Sequence, residues 1–170
     1  MENSERFLTL MRHGKAARPR ADVEDFDRPL TKRGVTDSAA IAAAIAERAA
    51  PVDLLLVSSA RRALLTGEIV GSVLSLPWGA LRTEERFYMA EAEQLLYRVR
   101  ELPPEVHHVM LVGHNPSMEE LAGELAGESI DHLSTAGIVL FRLRAARWQE
   151  CSRNRIALEE ILTPKLLRRT

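Results

Sequence analysis

The sequence predicts an α/β fold: a three-layer α/β/α sandwich around a mostly parallel central sheet. Three observations carry this. Apolar runs of strand length alternate with stretches of helical spacing along the chain. The leading apolar runs lack the polar alternation of half-exposed strands, so they read as buried on both faces. The length, 170 residues, suits one domain spanning 1–170 with a single core.

The elements follow in order. Residues 7–11 read as the first strand, which stops abruptly at Arg12-His13-Gly14. Residues 16–30 are proline- and acid-bearing and read as a loop just past that motif. Thr31 is the expected N-cap of an alanine-rich helix over 32–49, with Leu30 as its staple and Ile41 and Ile45 at helical spacing. Pro51 ends it. Residues 52–57 form a second, almost wholly apolar strand that stops at Ser58-Ser59-Ala60-Arg61-Arg62. A helix over 61–74 follows and is broken by Pro77 and Gly79. Residues 80–83 give a short strand, and 91–101 a helix with Leu95, Leu96 and Val99 on one side. Residues 108–112 form another apolar strand, ending at Gly113-His114-Asn115-Pro116, and 117–126 a helix with Pro116 at its start. Two late strands, 137–143 and 156–162, flank a basic segment, 144–155, that reads as a turn or hairpin connection.

Composition narrows the function classes. Hydrophobic residues make up 46% and charged residues 28%, an ordinary soluble balance. A net charge of -1 gives no case for nucleic acid or an anionic membrane as partner. The single cysteine, Cys151, cannot form an intrachain disulfide and suits a reducing compartment. The polar start Met1-Glu2-Asn3-Ser4-Glu5-Arg6 does not read as a signal peptide, and no apolar run is long enough to span a bilayer. The expected location is the cytoplasm.

Three apolar strands thus end in chemistry: Arg12-His13, Ser58-Ser59 before Arg61-Arg62, and Gly113-His114-Asn115. If the strands are parallel, these ends meet on one edge of the sheet, where ligands bind in open α/β folds. The helix N-termini after the second and fourth strands would favour an anion there. A phosphoryl group needs cationic donors around its equatorial oxygens and an in-line nucleophile. Arg12 and Arg62 can clamp it, one histidine can attack phosphorus, and the other can donate a hydrogen bond. No glycine-rich P-loop is present, which argues against a nucleoside triphosphatase of that type. Zinc on His13 and His114 is not expected, since zinc takes three or four protein ligands and the arginines would repel a cation. No cofactor is implied. His107 and His108, at a strand start, read as structural, and His132 as a loop residue. Arg61 reads as a solvated helix-start residue. Glu91 and Glu93 suit a helix N-terminus, with Glu91 also a candidate acid. The arginines Arg142, Arg144, Arg147, Arg153 and Arg155 read as a solvated face, or as a dock for an acidic protein.

Four blocks, Met11-Arg12-His13-Gly14-Lys15, Asp27-Arg28-Pro29-Leu30-Thr31, Ser58-Ser59-Ala60-Arg61-Arg62-Ala63-Leu64-Leu65-Thr66 and Val112-Gly113-His114-Asn115-Pro116-Ser117, together resemble the histidine phosphatase superfamily. The short chain, the block ending Arg33-Gly34 and the late Ser134-Thr135-Ala136-Gly137 look most like the SixA-type phosphohistidine phosphatases. The resemblance covers Phe7 to about Leu143. It implies a phosphoglycerate mutase-like fold. It also implies a metal-independent phosphatase working through a phosphohistidine on His13, with Arg12 and Arg62 as phosphate ligands and His114 as the second pocket histidine. Asn115 is a further expected substrate contact. SixA-type members act on phosphohistidine of signalling proteins, so the expected partner is a phosphorylated protein. A small-molecule phosphomonoesterase or mutase on the same fold is the alternative, and a non-catalytic phosphate-binding module a second; retention of both histidines argues against the latter. At this length there is little chain for a lid, which favours an open pocket that admits a protein side chain. Two features depart from the family pattern. Ser59 stands where a proline is frequent, and Arg61 adds a second basic residue. The region where relatives carry a proton-donating acid holds Glu84, Glu85 and Glu91, which compete for that role, with Glu91 the candidate acid.

Overall fold

The structure, a computed structural model, describes residues 5–169. Its centre is one six-stranded sheet of strands β1 (Arg6–Arg12), β2 (Leu54–Ser58), β3 (Leu81–Glu84), β4 (His108–Gly113), β5 (Ile138–Leu143) and β6 (Ile156–Leu162) in the order β3-β2-β4-β1-β5-β6. The pairs β1–β4, β2–β4 and β2–β3 are parallel. Strand β5 runs antiparallel to both β1 and β6, so it alone reverses the common direction. The mostly parallel sheet is therefore as expected, with a hairpin added at one edge.

Side chains of a strand alternate between the two faces, and here both faces are covered. Leu54, Leu56, Leu8, Leu10, Val109 and Leu111 face one core, closed by Leu95, Leu96 and Val99 of α3 (Ala92–Arg100) and Met118, Leu121 and Leu125 of α4 (Ser117–Ala126). Leu55, Val57, Met11, Met110 and Val112 face the other, closed by Ile41 and Ile45 of α1 (Lys32–Arg48) and Ala63 and Val70 of α2 (Arg61–Val73). Two-sided burial is why these strands read as unbroken apolar runs. It also makes the three-layer sandwich. A short helix α5 (Pro164–Leu167), which the sequence pattern did not signal, packs near α1.

Three local findings refine the element readings. Thr31 caps α1 as expected, its hydroxyl accepting from the Gly34 N–H at 3.0 Å. The stretch read as a plain loop past His13 is ordered by two isolated antiparallel bridges, Ala16–Leu30 and Arg20–Val23, and by a 3-10 turn at Asp25–Asp27. The basic connection between β5 and β6 is more than a turn. It carries a 3-10 turn, Trp148–Glu150, whose Trp148 is wholly buried and donates to the Val106 carbonyl at 2.8 Å.

Candidate active site

Parallel pairing puts the strand ends level. Arg12 pairs with Gly113, and Val57 with Val112, so His13, Ser58 and His114 emerge at one edge. The first strand's exit is pinned on several sides. The His13 N–H donates to the Gly113 carbonyl at 3.0 Å, and the Ala136 N–H donates to the Arg12 and His13 carbonyls, each at 3.0 Å. The Gly14 N–H donates to Thr66 Oγ1 at 2.9 Å, and that hydroxyl donates to the Arg62 carbonyl at 2.7 Å. A hydroxyl one turn into α2 therefore ties Arg62's backbone to the loop that carries His13.

His13 is only 8% exposed. Its Nδ1 lies 2.7 Å from the Gly14 carbonyl oxygen. A carbonyl can only accept, so Nδ1 carries the proton and Nε2 keeps its lone pair. Arg62 Nε donates to that Nε2 at 3.3 Å. Burial pushes the His13 pKa down to about 3, opposed by the Gly14 hydrogen bond and reinforced by His114, Arg62 and Arg12. The imidazole is thus a free base at neutral pH, with its lone pair on the atom that faces the cations.

The His114 ring lies 5.1 Å from that of His13. Its Nε2 is 2.7 Å from Ser58 Oγ. Ser58 Oγ accepts from the Ala60 N–H at 3.4 Å, which leaves its hydrogen to donate to Nε2. In that arrangement His114 Nδ1 bears the ring proton; Nδ1 is buried and has no partner among the described residues. Burial first, with Arg62 and Arg12, lowers the His114 pKa to about 4, against the attraction of Asp25. A neutral imidazole with one free N–H suits a donor to an anion.

Arg12 donates through Nη1 to the Leu133 carbonyl at 3.1 Å, and its buried Nε has no partner among the described residues. Arg62 is 6% exposed. Besides His13, it donates through Nη1 to the Asp25 carbonyl at 2.7 Å and through Nη2 to Asp25 Oδ2 at 3.1 Å. Arg12, His13, Arg62, His114 and Asn115 line one cleft of about 320 Å³, together with Lys15, Arg28 and Thr135. Asn115 stands in its wall, with its Nδ2 donating to Glu119 Oε1 at 2.7 Å and to the Leu133 carbonyl at 3.0 Å. Arg61 is exposed and donates to the Asp27 carbonyl at 3.4 Å, as suits a solvated helix-start residue.

Glu91 lies outside this cleft, in the wall of a larger adjoining groove of about 770 Å³ that shares Arg62, His114 and Asn115 with it. It is exposed and is the N-cap residue just before α3, where its N–H is held by Gln94 Oε1 at 2.8 Å. Two residues of the groove were not singled out from sequence. Asp25 bridges Arg28 (2.8 Å) and Arg62 (3.1 Å), and Tyr88 donates to its Oδ2 at 3.0 Å. Burial works to raise the Asp25 pKa, but the Tyr88 and Arg28 hydrogen bonds and the Arg62 charge prevail and hold it at about 2. Of the remaining histidines, His108 is structural as read, wholly buried between Thr9 Oγ1 (2.8 Å) and the Ala50 carbonyl (2.6 Å), and His132 lies in a loop. His107, read as structural, is instead exposed, and it is its main chain that is held: the N–H donates to Asp53 Oδ2 at 2.7 Å and the carbonyl accepts from the Phe7 N–H at 2.7 Å. Among the described residues no three His, Cys, Asp or Glu side chains gather as a metal site, and no helix is long and apolar enough to cross a membrane.

Two histidines and two arginines around one cleft can bind a tetrahedral anion and attack it. Comparison with known proteins bears on this. The profile of the histidine phosphatase superfamily, branch 1, matches residues 8–88. An uncharacterized protein of Picosynechococcus sp. PCC 7002 is 34% identical over 170 residues, covering 94% of this chain and 98% of its own length. A structure from Agrobacterium tumefaciens, provisionally named phosphohistidine phosphatase SixA, superposes with a TM-score of 0.80 at 28% identity, covering 94% of this chain and 98% of that one. The protein histidine phosphatase SixA complexed with tungstate superposes with a TM-score of 0.80 at 26% identity, covering 95% and 99%.

Proposed function

The chain belongs to the histidine phosphatase superfamily, with its phosphoglycerate mutase-like fold, and is a phosphatase; from that premise we propose that it hydrolyses phosphohistidine on a protein, as a SixA-type enzyme. The observation that carries the reading is the His13 tautomer, fixed by the Gly14 carbonyl so that Nε2 presents a lone pair at the cationic cleft.

The reaction runs in two steps. In the first, His13 Nε2 attacks phosphorus, the bond to the leaving group breaks, and that bond's electron pair departs with the leaving group. Arg12 Nε, Arg62 and His114 Nδ1–H hold the phosphoryl oxygens as charge moves onto them. The Gly14 carbonyl stabilises the proton on Nδ1 of the phosphorylated ring. In the second, water attacks phosphorus, the P–N bond breaks, and its pair returns to Nε2. The arginines supply the positive charge that a metal ion supplies in other phosphoryl-transfer enzymes, so the reaction is proposed to need none. The single cysteine, Cys151, is a buried free thiol, which suits the reducing cytoplasm.

The choice of phosphohistidine rests on leaving-group chemistry and access. An alkoxide is a poor leaving group without an acid, whereas imidazole has a pKa of about 6.5 and leaves readily once its ring is protonated. Asp25, the carboxyl in contact with Arg62, is held ionised and is no proton donor at neutral pH. The groove adjoining the cleft has room for a protein side chain and its flanks. A second reading, a phosphomonoesterase for small esters, is favoured by Glu91, which lines that groove and could protonate an oxygen leaving group. The test compares kcat/KM on a phosphohistidine protein with that on a panel of alkyl and aryl phosphates, in the presence of a chelator. The phosphohistidine protein should lead. If alkyl esters lead, and Glu91→Gln slows them by about 10²-fold, the second reading stands instead. Abolition of all turnover by the chelator would overturn the metal-free mechanism.

A further inference from the structure

We infer that Asp25 is the specificity residue for the leaving group: its carboxylate accepts the free ring N–H of the substrate's phosphorylated imidazole. The inference rests on the phosphohistidine reading above and goes past it by naming the group that distinguishes a P–N from a P–O substrate.

The placement carries the argument. Asp25 does not line the phosphate cleft, where a carboxylate would repel the anion. It lines the adjoining groove beside Arg62, Tyr88 and His114; the groove shares Arg62 and His114 with the cleft, so a leaving group directed out of the cleft past those two residues would meet Asp25. Tyr88 also supplies a ring edge-on to His114 at 5.7 Å and to Phe26 at 5.0 Å, so an aromatic wall suited to a flat imidazole adjoins the carboxylate.

The obvious rival is that Asp25 only positions Arg62. The contacts argue otherwise, because Arg62 has a second hold on the same residue. Its Nη1 donates to the Asp25 backbone carbonyl at 2.7 Å, a shorter contact than the 3.1 Å from Nη2 to the side chain. The backbone contact alone can keep the guanidinium in place. In the structure the carboxylate accepts three hydrogen bonds, Oδ1 from Arg28 Nε and Oδ2 from Tyr88 and Arg62, with Arg28 Nη2 ion-paired to Oδ1 at 2.8 Å, so both positions on Oδ2 are taken. An arriving phosphoryl group draws the Nη2–H of Arg62 to its own oxygen and vacates one site on Oδ2. The imidazole N–H takes that site, so the exchange conserves hydrogen bonds. A phosphate ester offers no such N–H, and its oxygen leaving group meets an ionised carboxylate instead.

The chemistry balances. In the substrate one ring nitrogen bears the phosphoryl group and the other a proton. When His13 Nε2 forms its bond to phosphorus, the substrate P–N bond breaks and its pair stays on the departing nitrogen. The product is neutral imidazole, still donating its N–H to Asp25. A carboxylate at that N–H favours the protonated ring, the form in which the bond is weakest.

The experiment is Asp25→Asn, assayed on phosphoimidazole, a phosphohistidine peptide and phenyl phosphate, with inhibition by inorganic phosphate measured alongside. On both P–N substrates kcat/KM should fall about tenfold or more further than on phenyl phosphate, because the lost contact is a charge-assisted hydrogen bond. Inorganic phosphate should bind no more weakly than to wild type. Equal losses on all substrates, with weakened phosphate binding, would show that Asp25 only positions Arg62 and overturn the inference alone. No loss on P–N substrates would also overturn it. Failure of the wild-type protein to cleave any P–N substrate, while it cleaves phenyl phosphate, would overturn the phosphohistidine reading and this inference with it. Should Asp25→Asn not fold, wild type suffices: imidazole should strengthen inhibition by tungstate and phenol should not, and absence of that coupling overturns the inference.

Discussion

Adjacent arginines separate geometry from composition at the scale of single residues. Arg61 and Arg62 open the same helix, yet one points to solvent and the other is 6% exposed against His13 and Asp25. Arg62→Ala should cost on the order of 2–5 kcal/mol in transition-state binding, read as kcat/KM. Arg61→Ala should change kcat/KM little, and equal losses would mean that both reach the phosphate. Ser58 makes a finer test. Its hydroxyl holds His114 Nε2 at 2.7 Å, leaving Nδ1 of that cleft-lining ring buried and unpartnered among the described residues. Ser58→Ala should lower kcat/KM on the order of tenfold, since one hydrogen bond and a tautomer are lost. No change would mean that His114 keeps its orientation from packing alone. His13, Arg12, Arg62 and His114 were all legible in the sequence, because Arg12 closes an apolar strand, His13 and His114 directly follow one, and Arg62 opens the helix after another. Asp25 was not. It is one of four acids between residues 22 and 27, and only the 3-10 turn there decides which of them meets Arg62.

The elements matter through how they grip the loop after β1. The N-terminus of α1 sits against it, with the Thr31 N–H donating to the Lys15 carbonyl at 2.8 Å. Gly34 in the first turn of α1 has no room for a side chain, since a Cβ there would press on the Lys15 carbonyl and lie 2.9 Å from its nitrogen. Gly34→Ala should therefore destabilise the protein by roughly 1–3 kcal/mol and displace His13, lowering activity as well. Denaturant titration and kcat/KM together check this, and a stable, fully active variant would count against the close packing. Sequence periodicity located the main helices and strands because their burial patterns are local. It missed the order within the loop past His13 and the anchoring role of Trp148. The bridge partners Ala16 and Leu30 are held together by tertiary contacts, and Trp148 sits in a segment whose composition is basic and whose apolar anchor is one residue.

Across the whole molecule, parallel strands bring distant motifs to one sheet edge, and burial there keeps imidazoles neutral. This couples the site to stability. His13 and His114 have folded pKa values of about 3 and about 4, below the roughly 6.5 of an unfolded chain. Below about pH 6.5 the unfolded chain binds protons that the folded one refuses, so stability falls as pH drops toward these values and is full above about 6.5. The denaturant midpoint should drop between pH 7.5 and pH 4.5, and drop less when both histidines are replaced by glutamine. An equal drop in that double variant would assign the effect to other groups. The central claim is that His13 Nε2 forms a bond to phosphorus. It is tested most directly by brief reaction with a labelled phosphoryl donor, quenching in base and mapping of the label. The account predicts a base-stable, acid-labile phosphate on His13, absent along with turnover in His13→Ala; label on His114, with turnover surviving in His13→Ala, would contradict it.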